Sequence, residues 1–164
     1  MAYVILKVDT TGLNPNTDDI IRIAALKVDG TKTEFNTLVN PGTGIELPDI
    51  VKSITGLTDS DLEGAPSFAE IKDSLLAFIG ELPIIGHNIK FDLSFINKYL
   101  DSGIKNKTMS LMDMAVAFGY RGSLKFADLC SHYNITGDSV VDKTDKLFIA
   151  MMADFNKKKD DKTV

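Results

Sequence analysis

The sequence predicts an α/β domain built on a mixed sheet. Three observations carry that reading. Strand-like apolar runs fill the first forty residues, helical spacing takes over after Pro41-Gly42, and short strand-like runs return between helices at Ile84-Ile85 and from Thr108 to Leu111. The chain has 164 residues, 44% of them apolar, with 18 Lys plus Arg against 23 Asp plus Glu for a net charge of −5. That is the composition of one globular domain with its own core, without the low hydrophobicity and high net charge of a disordered chain. No apolar run approaches the roughly 18 residues of a membrane span, so no membrane partner is expected. Net acidity disfavours a protein that coats nucleic acid through a broad basic face, but not an enzyme that grips one strand end. Cys130 is the only cysteine, and Tyr3 to Leu6 is too short for a secretory leader. Both point to a cytoplasmic, reducing setting.

The elements follow in order. Tyr3 through Val8, broken only by Lys7, reads as a central strand. Ile20 to Val28 and Lys32 to Asn40 follow, joined through Asp29-Gly30, whose residues tolerate the positive φ of a hairpin turn. Ser67 and Glu70 form a capping box ahead of an apolar stripe, Phe68, Ile71, Leu75 and Phe78, which Gly80 and Pro83 bring to an end. Ile84-Ile85 is a short strand, and Leu93, Ile96, Tyr99 and Leu100 mark another amphipathic helix. After a last strand near Thr108, helices are expected near Met112–Phe118, Leu124–Tyr133 and Asp142–Phe155. The domain is placed at residues 1–156. Residues 157–164, including Lys157 to Lys159, Asp160, Asp161 and Lys162, are expected to form a frayed charged tail.

Three places invite chemistry. Alternation puts Ile5, Lys7 and Asp9 on one face of the first strand and Val4, Leu6 and Val8 on the other. A lysine in a buried strand either snorkels to water or pairs with carboxylates, of which Asp9 is the first candidate. Thr10-Thr11-Gly12-Leu13 turns the chain away at the strand's carboxyl end, where α/β sheets place ligands. Gly86 to Asp92 joins the next strand to a helix, with Asp92 available either to cap that helix or to serve a site. Asp145 falls on the apolar face of the last helix, where a carboxylate needs a cation, a partner or the helix dipole.

Val8-Asp9-Thr10-Thr11-Gly12-Leu13, His87-Asn88-Ile89-Lys90-Phe91-Asp92 and the Asp145 helix together resemble the three motifs of the DEDDh 3′–5′ exonucleases. This proofreading family includes the epsilon-type exonuclease of bacterial DNA polymerase III, and Gly56-Leu57-Thr58 and Ala65-Pro66-Ser67-Phe68 fit it as well. The resemblance implies a ribonuclease H-like fold with about five strands. It also implies hydrolysis of a terminal phosphodiester by two Mg²⁺ or Mn²⁺ ions held on four carboxylates, with a His as general base. The family's first motif reads Asp-x-Glu-Thr-Thr-Gly, and here the first Asp is Lys7 and the Glu is Asp9. Asp92 and Asp145 remain, and the position of the base is Val140. His132 is not in register to replace it and is read as a surface or packing residue. By resemblance the catalytic and metal positions are Asp9, Asp92 and Asp145, with Lys7 and Val140 degenerate. Thr10, Thr11, Gly12, Leu13, His87, Asn88 and Phe91 would hold the strand end.

These changes point to a site with little or no two-metal hydrolysis, in which Lys7 neutralises Asp9, Asp92 or Asp145. The cofactor is Mg²⁺ or Mn²⁺ if the site works and none if it does not. Three functions follow: a module that binds a single-stranded 3′ end or a replication partner, an exonuclease with an altered metal site, or a structural domain of a larger replication protein.

Overall fold

The structure is a computed structural model that describes residues 1–44 and 46–160. Strand β1 (Tyr3–Thr10) pairs antiparallel with β2 (Ile20–Val28), and β2 pairs antiparallel with β3 (Lys32–Leu38). Gly30 has φ of 94° at the β2–β3 turn, but Asp29 does not take a positive φ, so the three-residue turn Asp29-Gly30-Thr31 uses only the glycine of the expected pair in that region. Helices α1 (Asp49–Thr55), α2 (Asp59–Leu62) and α3 (Phe68–Ile79) come next. The chain then re-enters the sheet as β4 (Ile84–Gly86), parallel to β1, and forms α4 (Ile89–Asn97). Strand β5 (Thr108–Ser110) runs parallel to β4, and α5 (Leu111–Ala117), α6 (Phe126–His132) and α7 (Val140–Asp160) complete the fold. Among the described residues the sheet has the order β3-β2-β1-β4-β5. The mixed α/β architecture is the one the sequence predicts.

Strand alternation divides the core as expected. Val4, Leu6 and Val8 pack with α3 and α4 on one face, while Tyr3, Ile5 and Leu26 pack with α5, α6 and α7 on the other. A smaller cluster, Ile21, Leu47, Val51, Leu57 and Leu62, seats α1 and α2 beside the sheet. The Ser67–Glu70 capping box forms, and Gly80 follows the end of α3. Cys130 is buried, and among the described residues no helix is long and apolar enough to cross a membrane.

Three boundaries differ from expectation. The first strand runs on to Thr10, because its far end pairs with β2 after a register shift between Asp9 and Thr10. The third strand stops at Leu38, short of Asn40. The last helix begins at Val140 and continues through Lys157, Lys158, Lys159 and Asp160. That stretch is helical because Asp154 pairs with Lys158 at 2.7 Å, Phe155 stacks on Phe118, and three lysines suit the negative end of the helix dipole. Asp161 and Lys162 lie outside the described residues.

Candidate functional site

The carboxyl end of β1 carries the site. Antiparallel pairing sets Lys7 opposite Ala24 and Asp9 opposite Arg22, so these side chains share one face of the sheet. The Lys7 Nζ stands 3.3 Å from Asp92 Oδ1 and 3.9 Å from Asp9 Oδ1, and it also donates to the Val8 carbonyl. Lys7 therefore pairs with carboxylates instead of snorkelling free. Asp92, only 1% exposed, accepts the Val8 backbone N–H at 2.9 Å. It is the fourth residue of α4, one turn inside the helix, so it ties α4 to β1 and does not cap the helix. Burial pushes its carboxyl above the usual range, and the Lys7 ammonium pulls the other way.

Asp9 has a second cation. The Arg22 Nε lies 2.6 Å and a terminal guanidinium nitrogen 2.5 Å from Asp9 Oδ2. The sequence motifs did not point to Arg22. Its signal was a charged residue inside the apolar run Ile20-Ile21-Arg22-Ile23, the same anomaly that marked Lys7.

Asp145 is placed elsewhere. It is 0% exposed, its Oδ1 accepts the Tyr3 hydroxyl at 2.6 Å, and its Oδ2 faces the Lys32 Nζ at 2.7 Å. Burial and this carboxylate together push the Tyr3 hydroxyl far above its ordinary value, and the hydrogen bond to Asp145 raises Lys32. Of the three candidate partners of Lys7, Asp92 and Asp9 pair with it, and Asp145 pairs with Lys32 instead. The reason is where α7 meets the sheet. Ser139, Val140 and Val141 line a cavity of about 230 Å³ with Lys7, Asp9 and Arg22. Asp145, five residues on, lies about 7.5 Å further along the axis. There it meets Tyr3, at the opposite end of β1. Val140 does stand beside Lys7, where its isopropyl group accepts no proton. Among the described residues, no three His, Cys, Asp or Glu side chains group as a metal site. The residues present do not fit a two-metal centre.

On the other side of Lys7 lies an apolar cleft of about 340 Å³, lined by Thr10 to Leu13, by Ile50 and Ile54 of α1, and by Phe91. Leu13 is 84% exposed, Ile50 65% and Ile54 75%, so the rim presents bare hydrocarbon. The contribution of α1 was missed, although Ile50, Val51 and Ile54 after Pro48 carry a helical spacing. The turn beneath the cleft is firmly held. Thr11 exchanges backbone and hydroxyl hydrogen bonds with Asp19, which also receives Lys98 and Tyr99. A Cβ on Gly12 would come within 2.4 Å of the Asp18 carboxylate, which would have to swing aside to admit it.

Of the expected strand-end residues, Thr10, Thr11, Gly12, Leu13 and Phe91 converge on this cleft. His87 and Asn88 are not among its lining residues. The His87 Nε2 is 2.7 Å from the Leu124 carbonyl and its ring meets Phe126 edge-on, so it fastens the α5–α6 loop to β4. Burial pushes its imidazole below the ordinary histidine value. Asn88 is exposed just ahead of α4. His132 is exposed against Tyr120 and Tyr133, as expected of a surface residue.

Comparison with known proteins agrees with this architecture. The exonuclease family model RNase_T matches residues 4–140, ending before Asp145. The chain is 34% identical over 119 residues to DNA polymerase III subunit epsilon of Aquifex aeolicus (strain VF5), a match covering 70% of this chain and 58% of that protein. It is 33% identical over 118 residues to the PolC-type DNA polymerase III of Clostridium perfringens (strain 13 / Type A), covering 69% of this chain and 8% of that one. The chain thus spans little more than half of one relative and a small part of the other. A product-bound structure of exonuclease I superposes with a TM-score of 0.79 over 95% of this chain and 45% of that chain, at 15% identity. The fold is ribonuclease H-like, as in that neighbour. With five strands, the motif turn after β1 and the His87–Asp92 segment all in place, the chain belongs to the RNase_T family of DEDDh-type 3′–5′ exonucleases.

Proposed function

We propose that this domain holds the 3′ end of a single strand and carries out little or none of its family's metal-dependent hydrolysis. One observation carries the reading: the Lys7 ammonium sits against Asp92 and Asp9 at the lip of the apolar cleft. The family's chemistry needs carboxylates free to ligate hard dications, and here a side-chain cation already neutralises them. The strand-holding half of the site is kept. Leu13, Ile50, Ile54 and Phe91 offer stacking surface to a terminal base, and Lys7 offers its phosphate a positive partner that requires no metal. Similarity to polymerase III subunits supports a replication protein as the partner that delivers such an end.

The test is fluorescence anisotropy with a labelled oligothymidylate, linear or covalently closed, in EDTA. The linear strand is expected to bind. Leu13→Ala and Ile54→Ala, both at exposed positions, are each expected to weaken it several-fold, as apolar area covered by the terminal base is lost. Equal binding of the closed circle would mean that no end is recognised. Absence of binding would leave a purely structural domain.

A further inference from the structure

We infer that Arg22 is a second, independent bar to divalent cations, so that restoring a carboxylate at position 7 does not by itself rebuild a metal site. The inference rests on the proposed loss of hydrolysis and names what enforces it.

Each of the three carboxylates that the motif resemblance singled out carries its own basic partner, and the three partners come from three adjacent strands. Lys7 of β1 is 3.3 Å from Asp92, Arg22 of β2 is 2.5 Å from Asp9, and Lys32 of β3 is 2.7 Å from Asp145. Removing Lys7 frees Asp92 but not Asp9, whose Oδ2 takes two guanidinium nitrogens of Arg22. A planar guanidinium held this way is permanently charged and presents its donors in a fixed fork, so it yields less readily than a flexible ammonium. Asp145 offers no substitute ligand, because it is sealed in the core between Tyr3 and Lys32. A cation arriving at a Lys7→Asp site would meet the introduced carboxylate and Asp92. Its third ligand, Asp9, would still be neutralised.

Mn²⁺ binding, read as loss of the free-ion electron paramagnetic resonance signal, tests this on the wild type, Lys7→Asp, and Lys7→Asp with Arg22→Gln. The wild type and the single variant are expected to show no saturable binding up to about 1 mM, the range of weak oxygen sites. The double variant is expected to bind at least about tenfold more tightly than the single, and to lose that binding with Asp92→Asn. Lys7→Asn with Arg22→Gln removes both cations without adding a charge. It should likewise exceed Lys7→Asn alone, which covers the event that the carboxylate-rich variant unfolds. Equal affinity of single and double variants would overturn the role of Arg22 and leave the proposed function standing. Saturable wild-type binding that requires Asp92 would overturn both.

Discussion

Removing the Lys32 ammonium tests the reassignment of Asp145 from ligand to anchor. In Lys32→Met, Asp145 stays at 0% exposure with the Tyr3 hydroxyl but without its cation. Breaking a buried pair from one side costs about 3–5 kcal/mol. Half of the Lys32 side chain is exposed, so water can follow into the gap, and the low end, about 3 kcal/mol, applies. In a domain of this size that lowers Tm by about 6–12 °C. Calorimetry and urea unfolding at pH 7 read it, and adding Asp145→Asn should recover part of the loss by removing the stranded charge. The hydrogen bond to Asp145 raises Lys32 above its ordinary value of 10.5. Its contribution is therefore complete below 10.5 and fades as pH rises through the higher folded value, so wild type and variant converge in alkali. A loss below about 1 kcal/mol at pH 7, the worth of an ordinary surface pair, would refute the anchor.

Two further outcomes follow from the same geometry. Tyr3→Phe removes the donor to Asp145 Oδ1 and should cost about 1.5–3 kcal/mol in urea unfolding, with the aromatic contact to Phe148 kept. His87 is held neutral by burial, so the unfolded chain takes up its proton first as pH falls below 6.5. Wild-type stability should therefore drop by up to about 1.4 kcal/mol per pH unit between 6.5 and the lower folded value, and His87→Gln should remove that slope.

What the sequence made legible, and what it hid, follows from how far apart in the chain the partners lie. Alternation within β1 and the capping box of α3 are local, and both are found as read. The pairing of Lys7 with Asp9 and Asp92 was also legible, because the family motifs bring those segments together. Arg22 was not. The β1–β2 register is set by the loop 11–19, and no two-residue turn announces it. Asp145 was misplaced because the start of α7 decides which end of β1 it meets. Val140 is the residue that docks beside Lys7, and five residues of helix then carry Asp145 about 7.5 Å along the axis, away from the site. Its Tyr3 partner lies 142 residues away, beyond the reach of any local pattern. Leu13 was expected at the strand-end site, but the helix that completes the cleft, with Ile50 and Ile54, had not been singled out.

The central claim is that side-chain cations stand where the family's chemistry needs metal ligands. Its most direct test is a single-turnover assay with excess protein, a 5′-labelled single strand and Mn²⁺, run beside an intact member of the family. The label should remain on full-length strand while the relative shortens it stepwise. Mn²⁺-dependent shortening from the 3′ end, lost in Asp92→Asn, would contradict the account.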